Sequence, residues 1–242
     1  MVGDVDAGAF KNATAGLESA WTTTGTEIVS LPPANAVEKS AVYFYDVPGA
    51  KQSVLRIQRP SLSALDDDYP WATAVNFLLG NIYTSQLMTE LRVNRGYTYG
   101  IRSRFSGAKD RGDFTISSSV RSNVTLESLQ RIRDIVSNFG PGFTEADLDV
   151  LKGAVLRGQA LKNETLRAKL GVVQNISYLG YPYDFQARNA ARVEAMTLEQ
   201  FQRIANDYLR ADAMQYIVVG DAESQAGRLG DLGFGEPVML EK

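Results

Sequence analysis

Apolar and polar residues alternate along several short segments of the chain, and this period of two predicts β-strands. The first two alternating segments are joined through Pro48-Gly49, and the next two flank a polar hairpin loop. A final apolar segment stands close to the end of the chain. The predicted strands are residues 42–45, 53–58, 97–105, 113–120 and 215–220.

Other segments carry apolar residues every three or four positions, which predicts amphipathic helices. Gly96 closes one of them as a left-handed C-cap, so that a strand follows at once. Strands followed by a block of helices and a closing strand are typical of an α+β fold, here a mostly antiparallel sheet covered on one face by helices. The predicted helical segments are residues 9–21, 66–79, 84–96 and 125–209.

Residues 1–35 differ in character from the rest of the chain. After a short helical stretch they contain a threonine-rich run and Pro32-Pro33, which are typical of a linker. Val2-Gly3-Asp4-Val5-Asp6 is similar to Val219-Gly220-Asp221-Ala222-Glu223, which closes the last predicted strand. Because a repeated domain shows its ending twice, we interpret residues 1–35 as the tail and linker of a preceding copy and residues 36–242 as a complete domain. Chance similarity is the alternative.

Composition excludes several classes of chemistry. The 242 residues include no histidine and no cysteine, so this chain alone cannot form a Ser-His-Asp triad, a Cys-His dyad or an ordinary zinc site. A net charge of −3 argues against nucleic acid as the main partner. The longest apolar runs are far shorter than the ~20 residues that cross a bilayer, so we expect no membrane span.

The most informative motif is Leu91-Arg92-Val93-Asn94-Arg95-Gly96-Tyr97-Thr98-Tyr99-Gly100. It resembles the Leu-Arg-x-x-x-Gly-x-x-Tyr signature in the second-half domains of the M16 zinc metallopeptidases, the family of pitrilysin, insulin-degrading enzyme and the mitochondrial processing peptidase. The order of predicted elements, the Val-Gly-Asp endings and the linker also resemble the end of one such domain followed by another. The resemblance implies the LuxS/MPP-like metallohydrolase fold, with this chain as a C-terminal-type, inactive peptidase domain.

The resemblance also implies a division of labour between two homologous halves. In that family the first half carries zinc on His-x-x-Glu-His and a distal Glu, whereas the second half contributes an Arg and, seven residues later, a Tyr that hold the substrate backbone near the metal. Carried over by position, these residues are Arg92 and Tyr99. The implied partners are a zinc-binding homologous half, in the same polypeptide or a separate subunit, and a peptide substrate. This chain is expected to bind no metal and to be inactive alone.

The local pattern is compatible with that role, because Arg92 falls in the last turn of a predicted helix and Gly96 lets the chain reverse toward Tyr99. Both side chains can then approach one point. The structural alternative is that Arg92 interacts with the helix C-terminus while Tyr99 packs in the sheet.

The sequence leaves two functional alternatives open. One is a pseudopeptidase that binds peptides or acts as a scaffold, like the core subunits of the respiratory cytochrome complex that share this fold. The other is an unrelated α+β ligand-binding domain. We expect a bacterial protein of the periplasm or the cytoplasm, with a lean toward the periplasm.

Overall fold

The computed structural model describes residues 2–21 and 35–241 of the chain. The helical stretch predicted near the start is present as two short helices, α1 (Ala7–Thr14) and α2 (Leu17–Ala20). Helix α1 has no buried residue. Most of the predicted linker falls within residues 22–34, which lie outside the described residues, so the assignment of residues 1–35 to a preceding domain stays a prediction.

The strands of the described chain form one sheet with the order β3-β4-β2-β5-β1-β6. Strands β3, β4, β2 and β5 pair antiparallel, whereas β1 pairs parallel with both β5 and β6. The bounds are β1 (Ala41–Asp46), β2 (Gln52–Ser61), β3 (Thr98–Gly107), β4 (Gly112–Arg121), β5 (Gln215–Gly220) and β6 (Val238–Leu240).

Two features of this sheet differ from the sequence interpretation. Strands β1 and β2 are consecutive in the chain, yet β5 from the far end lies between them. Strand β6 was not predicted, because its three apolar residues are all exposed and show no alternation. The five main strands and the α+β class were predicted correctly.

The helices form the second layer of the fold. The predicted helical block from residue 125 to residue 209 is confirmed as five helices, and α3 and α4 each continue into a π-helical segment, Phe77–Asn81 and Thr89–Asn94. Among the described residues, no helix combines the length and apolar character needed to cross a membrane. The remaining helices are α3 (Tyr69–Asn76), α4 (Gln86–Met88), α5 (Thr125–Phe139), α6 (Glu145–Lys162), α7 (Leu166–Leu179), α8 (Phe185–Ala195), α9 (Leu198–Tyr208) and α10 (Ala222–Gln225).

Side-chain burial shows which face of the sheet the helices cover. Along β2, Leu55 and Ile57 are fully buried, whereas their neighbours Val54 and Arg56 are exposed. The same alternation runs through β4, so burial of the inward residues drives the two layers together. The outward face of β2, β3 and β4 stays open to solvent in the described part of the chain.

A tight joint fixes β3 against the helical layer. Asn76, at the end of α3, donates from Nδ2 to the Ser103 carbonyl over 3.0 Å and accepts from Ser103 Oγ over 2.5 Å. Gly80, one turn further along, passes so close that a Cβ there would lie 2.3 Å from Ser103 Oγ. Only glycine fits this approach, and the joint therefore sets the position of the strand that carries Tyr99.

An ion-pair cluster connects the start of α3 to α9. Arg203 donates to both carboxylate oxygens of Asp68 over 2.8 Å, and the Tyr208 hydroxyl donates to the same carboxylate over 2.8 Å. The hydrogen bond from Arg203, more than that from Tyr208, lowers the pKa of Asp68. Burial, and then the hydrogen bond from Tyr208 to Asp68, raise the pKa of Tyr208 to about 12. The cluster binds two helices that are far apart in sequence.

We predict that Asp68→Asn lowers the free energy of unfolding by about 1–2 kcal/mol near neutral pH, since it weakens a bidentate, charge-assisted pair that is partly exposed. The folded-state pKa of Asp68 lies below its unfolded value of ~3.9, so its contribution is complete above that value and is lost as the pH falls through the folded pKa. Urea unfolding at neutral and acidic pH measures this difference between wild type and variant.

Asp67→Asn is the matched control, because the Asp67 side chain is 98% exposed and lies 3.5 Å from Arg192. We expect it to change stability by less than about 0.5 kcal/mol at either pH. Equal losses in the two variants, or a loss in Asp68→Asn that persists undiminished in acid, would contradict the assignment.

Candidate functional site

Arg92 lies on an exposed face of the π-helical segment that follows α4. Its neighbours Met88 and Leu91 are buried in the core and hold the segment in place. The Arg92 guanidinium carbon lies 5.1 Å from the centre of the Tyr83 ring, within the range of a cation–π contact. The predicted last helical turn is therefore present, but with π rather than α geometry, a local widening that is frequent at functional sites.

Gly96 reverses the chain between the π-helix and β3, as the sequence predicts. Its φ of +62° is in the left-handed region that a side chain would disfavour. The Gly96 amide donates to the Arg92 carbonyl over 3.1 Å, and the Tyr97 amide donates to the Leu91 carbonyl over 2.8 Å. These bonds join the two sides of the reversal, so the backbone at Arg92 is connected by hydrogen bonds to the residues just before β3.

Tyr99 lies at the start of β3 in a β-bulge, where the pairing with β4 shifts between Thr98 and Ile101. The Thr98 hydroxyl donates to the Ser119 carbonyl over 2.7 Å and accepts from the Gly100 amide over 3.0 Å, which holds the bulge. Tyr99 itself is 88% exposed. The alternative that it packs in the sheet is therefore wrong, and the bulge presents its hydroxyl to solvent.

The other arginine of the motif is engaged within the segment. Arg95 Nε donates to Glu90 Oε1 over 2.5 Å, and Asn94 donates to the second oxygen of Glu90 over 3.0 Å. The Asn94 bond and then the Arg95 bond lower the pKa of Glu90. Arg95 thus braces the π-helix, whereas among the described residues Arg92 contacts the aromatic face of Tyr83 and forms no ion pair.

Arg92 and Tyr99 stand on open surface rather than in a cavity. Neither Arg92 nor Tyr99 lines the groove of about 480 Å³ that Glu90 and Arg131 border. Neither of them lines the cavity of about 780 Å³ between α3, α6, α7 and α8. Within the described residues no hydrogen bond joins Arg92 to Tyr99. A site built on this pair therefore needs a second wall from another protein surface.

The side chains of the described residues do not form a zinc site. The chain contains no histidine or cysteine, and the described residues contain no group of three or more carboxylates placed to hold a metal. The chemistry this surface can perform is hydrogen-bond donation, from the fork of Arg92 and the hydroxyl of Tyr99.

Sequence reasoning missed Tyr83. It lies outside the recognised motif, in the short connection between the π-helical end of α3 and α4, and it is 60% exposed. Its signal in the sequence is an aromatic residue flanked by Ile82 and Thr84 just before a helix start, which is weak without knowledge of Arg92's position.

Comparison with known proteins gives one family match. The family described as the peptidase M16 inactive domain matches residues 1–155, more than half of the chain. A curated relative is the "Non-peptidase homolog YmxG" of Helicobacter pylori, which is 29% identical over 150 residues. That alignment covers 61% of this chain and 33% of the relative, so the chain spans about a third of the relative's length.

Solved structures match over nearly the whole chain. The peptidase M16 inactive domain from Pseudomonas fluorescens has a TM-score of 0.79 at 22% identity, covering 92% of this chain and 53% of that one. A protease from Helicobacter pylori has a TM-score of 0.78 at 17% identity, covering 90% and 54%. At these identities the likeness establishes the shared fold, and this chain corresponds to about half of each structure.

Proposed function

Because this chain belongs to the peptidase M16 inactive-domain family, we propose that it is the substrate-binding, metal-free half of an M16-type zinc endopeptidase. In this proposal Arg92 and Tyr99 hold the peptide backbone near a zinc carried by a homologous half. The observation that supports it most is the hydrogen-bonded reversal at Gly96, which connects the helical segment of Arg92 to the strand of Tyr99 and leaves both side chains exposed. The homologous half would supply the missing wall.

The proposed roles follow from the chemistry of the two side chains. Arginine presents several N–H donors in a fixed fork, which suits the carbonyl oxygens of an extended peptide. The Tyr99 hydroxyl is a neutral donor that can stabilise the negative charge developing on the carbonyl oxygen of the scissile bond. Both groups act by positioning and hydrogen bonding, so this chain alone should cleave nothing.

A second candidate is a pseudopeptidase in which neither half cleaves. The name of the Helicobacter relative, a non-peptidase homolog, favours it. In that case Arg92 and Tyr99 would bind peptides without turnover, and function would depend on the site rather than on the shared fold.

The test is to combine this chain with its homologous half and incubate the assembly with a fluorogenic peptide library. Cleavage that stops with a zinc chelator and returns with zinc supports the peptidase, with this chain alone serving as the inactive control. Peptide binding without cleavage supports the pseudopeptidase. An assembly that neither binds nor cleaves peptides would overturn both candidates.

Tyr83 gives a further prediction about this site. Tyr83→Ala removes the ring under Arg92 and should raise the KM for peptide about two- to five-fold, the value of an exposed cation–π contact. Tyr83→Phe keeps the ring and should rescue KM, whereas kcat stays near wild type in both variants. Equal effects of the alanine and phenylalanine variants would contradict a positioning role for the ring.

A further inference from the structure

Three arginines lie close together on the open face of the sheet. Arg56 on β2 and Arg102 on β3 both pair in register with Ser117 of the intervening strand β4. Since neighbouring strands are ~4.8 Å apart, the backbones of these two arginines are about 10 Å apart. Arg104 follows two residues after Arg102 and is exposed on the same face. Together Arg56, Arg102 and Arg104 form what we term the arginine face.

The charges of the arginine face are not balanced within the described residues. Arg95, Arg203 and Arg210 each form an ion pair, but none of the three arginines of the face does. Within the described part of the chain, the hydrogen bond of Arg56 goes to the amide oxygen of Gln58, over 2.6 Å. In a protein whose acidic residues outnumber its basic ones, 28 to 25, this cluster is a local excess of positive charge.

The surroundings of the arginine face add neutral hydrogen-bonding groups. Ser117 and Thr115 of β4 lie between the arginine-bearing strands and point to the same side of the sheet. Among the described outward positions of β2, β3 and β4 there is one carboxylate, Asp113, at the hairpin end, where it accepts from Thr115 Oγ1 over 2.6 Å. The centre of the face therefore offers guanidinium and hydroxyl donors without a competing acid.

Arg102 and Arg104 of the arginine face lie on the same strand as Tyr99. The β-bulge between Thr98 and Ile101 shifts the side-chain alternation, so that Tyr99, Arg102 and Arg104 are all exposed. Arg102 and Arg104 follow Tyr99 by three and five residues on β3, which is about 10 and 17 Å along a strand. A peptide held at Tyr99 and running along β3 would place its next side chains over these arginines. Carboxylates are the side chains that guanidinium forks bind best.

We propose that the arginine face binds the acidic side chains of the peptide, so that the substrate class of this site is peptides with Asp or Glu to one side of the held bond. This inference rests on the proposed function, since it requires a peptide at Tyr99. Charge complementarity favours an acidic peptide as the occupant of the arginine face. An acidic surface of the homologous half is the competing occupant.

The experiment measures binding of two fluorescent peptides of equal length to the assembled protein. One peptide carries Glu and Asp, and in the other these residues are replaced by Gln and Asn. The variant is the triple change Arg56→Gln, Arg102→Gln and Arg104→Gln. Arg167→Gln is the control, because it removes one exposed positive charge from α7 in the helical layer. Circular dichroism verifies folding of each variant.

We expect wild type to bind the acidic peptide about tenfold more tightly than the neutral one, the combined value of three exposed charge pairs. The triple variant should lose this preference while binding the neutral peptide as wild type does, and salt should reduce the preference. A preference that survives the triple change overturns the inference. The inference is also overturned if the triple variant no longer assembles with the homologous half in sedimentation, because the arginines would then belong to that interface. If wild type binds neither peptide, the proposed function itself fails.

Discussion

Tyr99→Phe in the assembled protein should lower kcat for peptide cleavage by about 10²–10³-fold, the usual cost of one oxyanion donor. The variant removes a single oxygen from a side chain that is 88% exposed, so folding should be unaffected. Arg92→Ala should lower kcat/KM by a similar order, because it removes the fork that holds the peptide carbonyls. Zinc content, measured by atomic absorption, should stay at the wild-type value in both variants.

Tyr97→Phe provides the matched control for this result. Tyr97 stands two residues before Tyr99, is half-buried, and lies under Arg95 at 5.9 Å rather than beside the open site. Removing its hydroxyl should leave turnover unchanged. Wild-type rates in both Tyr99→Phe and Arg92→Ala would refute the assignment of the pair. If the assembly binds peptides without cleaving them, the same variants should weaken peptide binding instead.

The reversal at the candidate site could be predicted because its determinants are local. A glycine after an amphipathic stretch, followed at once by alternation, specifies a helix end and a strand start within a few residues. The structure confirms this at Gly96, whose φ is +62°. Sequence could not fix the direction of Tyr99, however, because the β-bulge between Thr98 and Ile101 depends on pairing with β4, a contact between distant parts of the chain.

Non-local contacts also explain the other differences. The insertion of β5 between β1 and β2 joins segments about 170 residues apart, and nothing in the Pro48-Gly49 connection encodes it. The turn at Arg92 is π-helical and lies between the buried residue Met88 and the strand β3, and periodicity alone does not show this geometry. The contact of Tyr83 with Arg92 depends on that turn. The sequence could therefore identify Arg92 and Tyr99 as candidate residues but not the aromatic ring that Arg92 contacts.

The largest effect on stability should come from Phe201→Ala. Phe201 on α9 is fully buried, and its ring stacks on Phe143 with centres 3.6 Å apart and planes 11° apart. Phe139, at the end of α5, lies 5.6 Å from it. The cluster therefore joins α9 to the turn that follows α5. Truncation to alanine leaves a cavity among these rings and should lower the free energy of unfolding by about 3–5 kcal/mol.

Urea unfolding of this chain measures that loss, and Tyr183→Ala is the control, because Tyr183 is an aromatic residue of the helical layer that is 92% exposed. It should change stability by less than about 0.5 kcal/mol. Phe201→Leu retains most of the volume and should cost under ~1.5 kcal/mol, which keeps the test informative if the alanine variant does not fold. If Phe201→Leu and Phe201→Ala were equally stable, the packing of the Phe201 side chain against the other rings would not contribute to the free energy of unfolding.

The two sets of variants together separate the fold from the site. Phe201 belongs to the helical layer, whereas Tyr99 is exposed at the start of β3. Phe201→Leu should therefore lose stability and, at a temperature where it remains folded, retain turnover. Tyr99→Phe should do the reverse. If Tyr99→Phe lost activity and stability in parallel, its effect on turnover would reflect a disturbed bulge rather than a missing donor, and the chemical role proposed for the hydroxyl would fail.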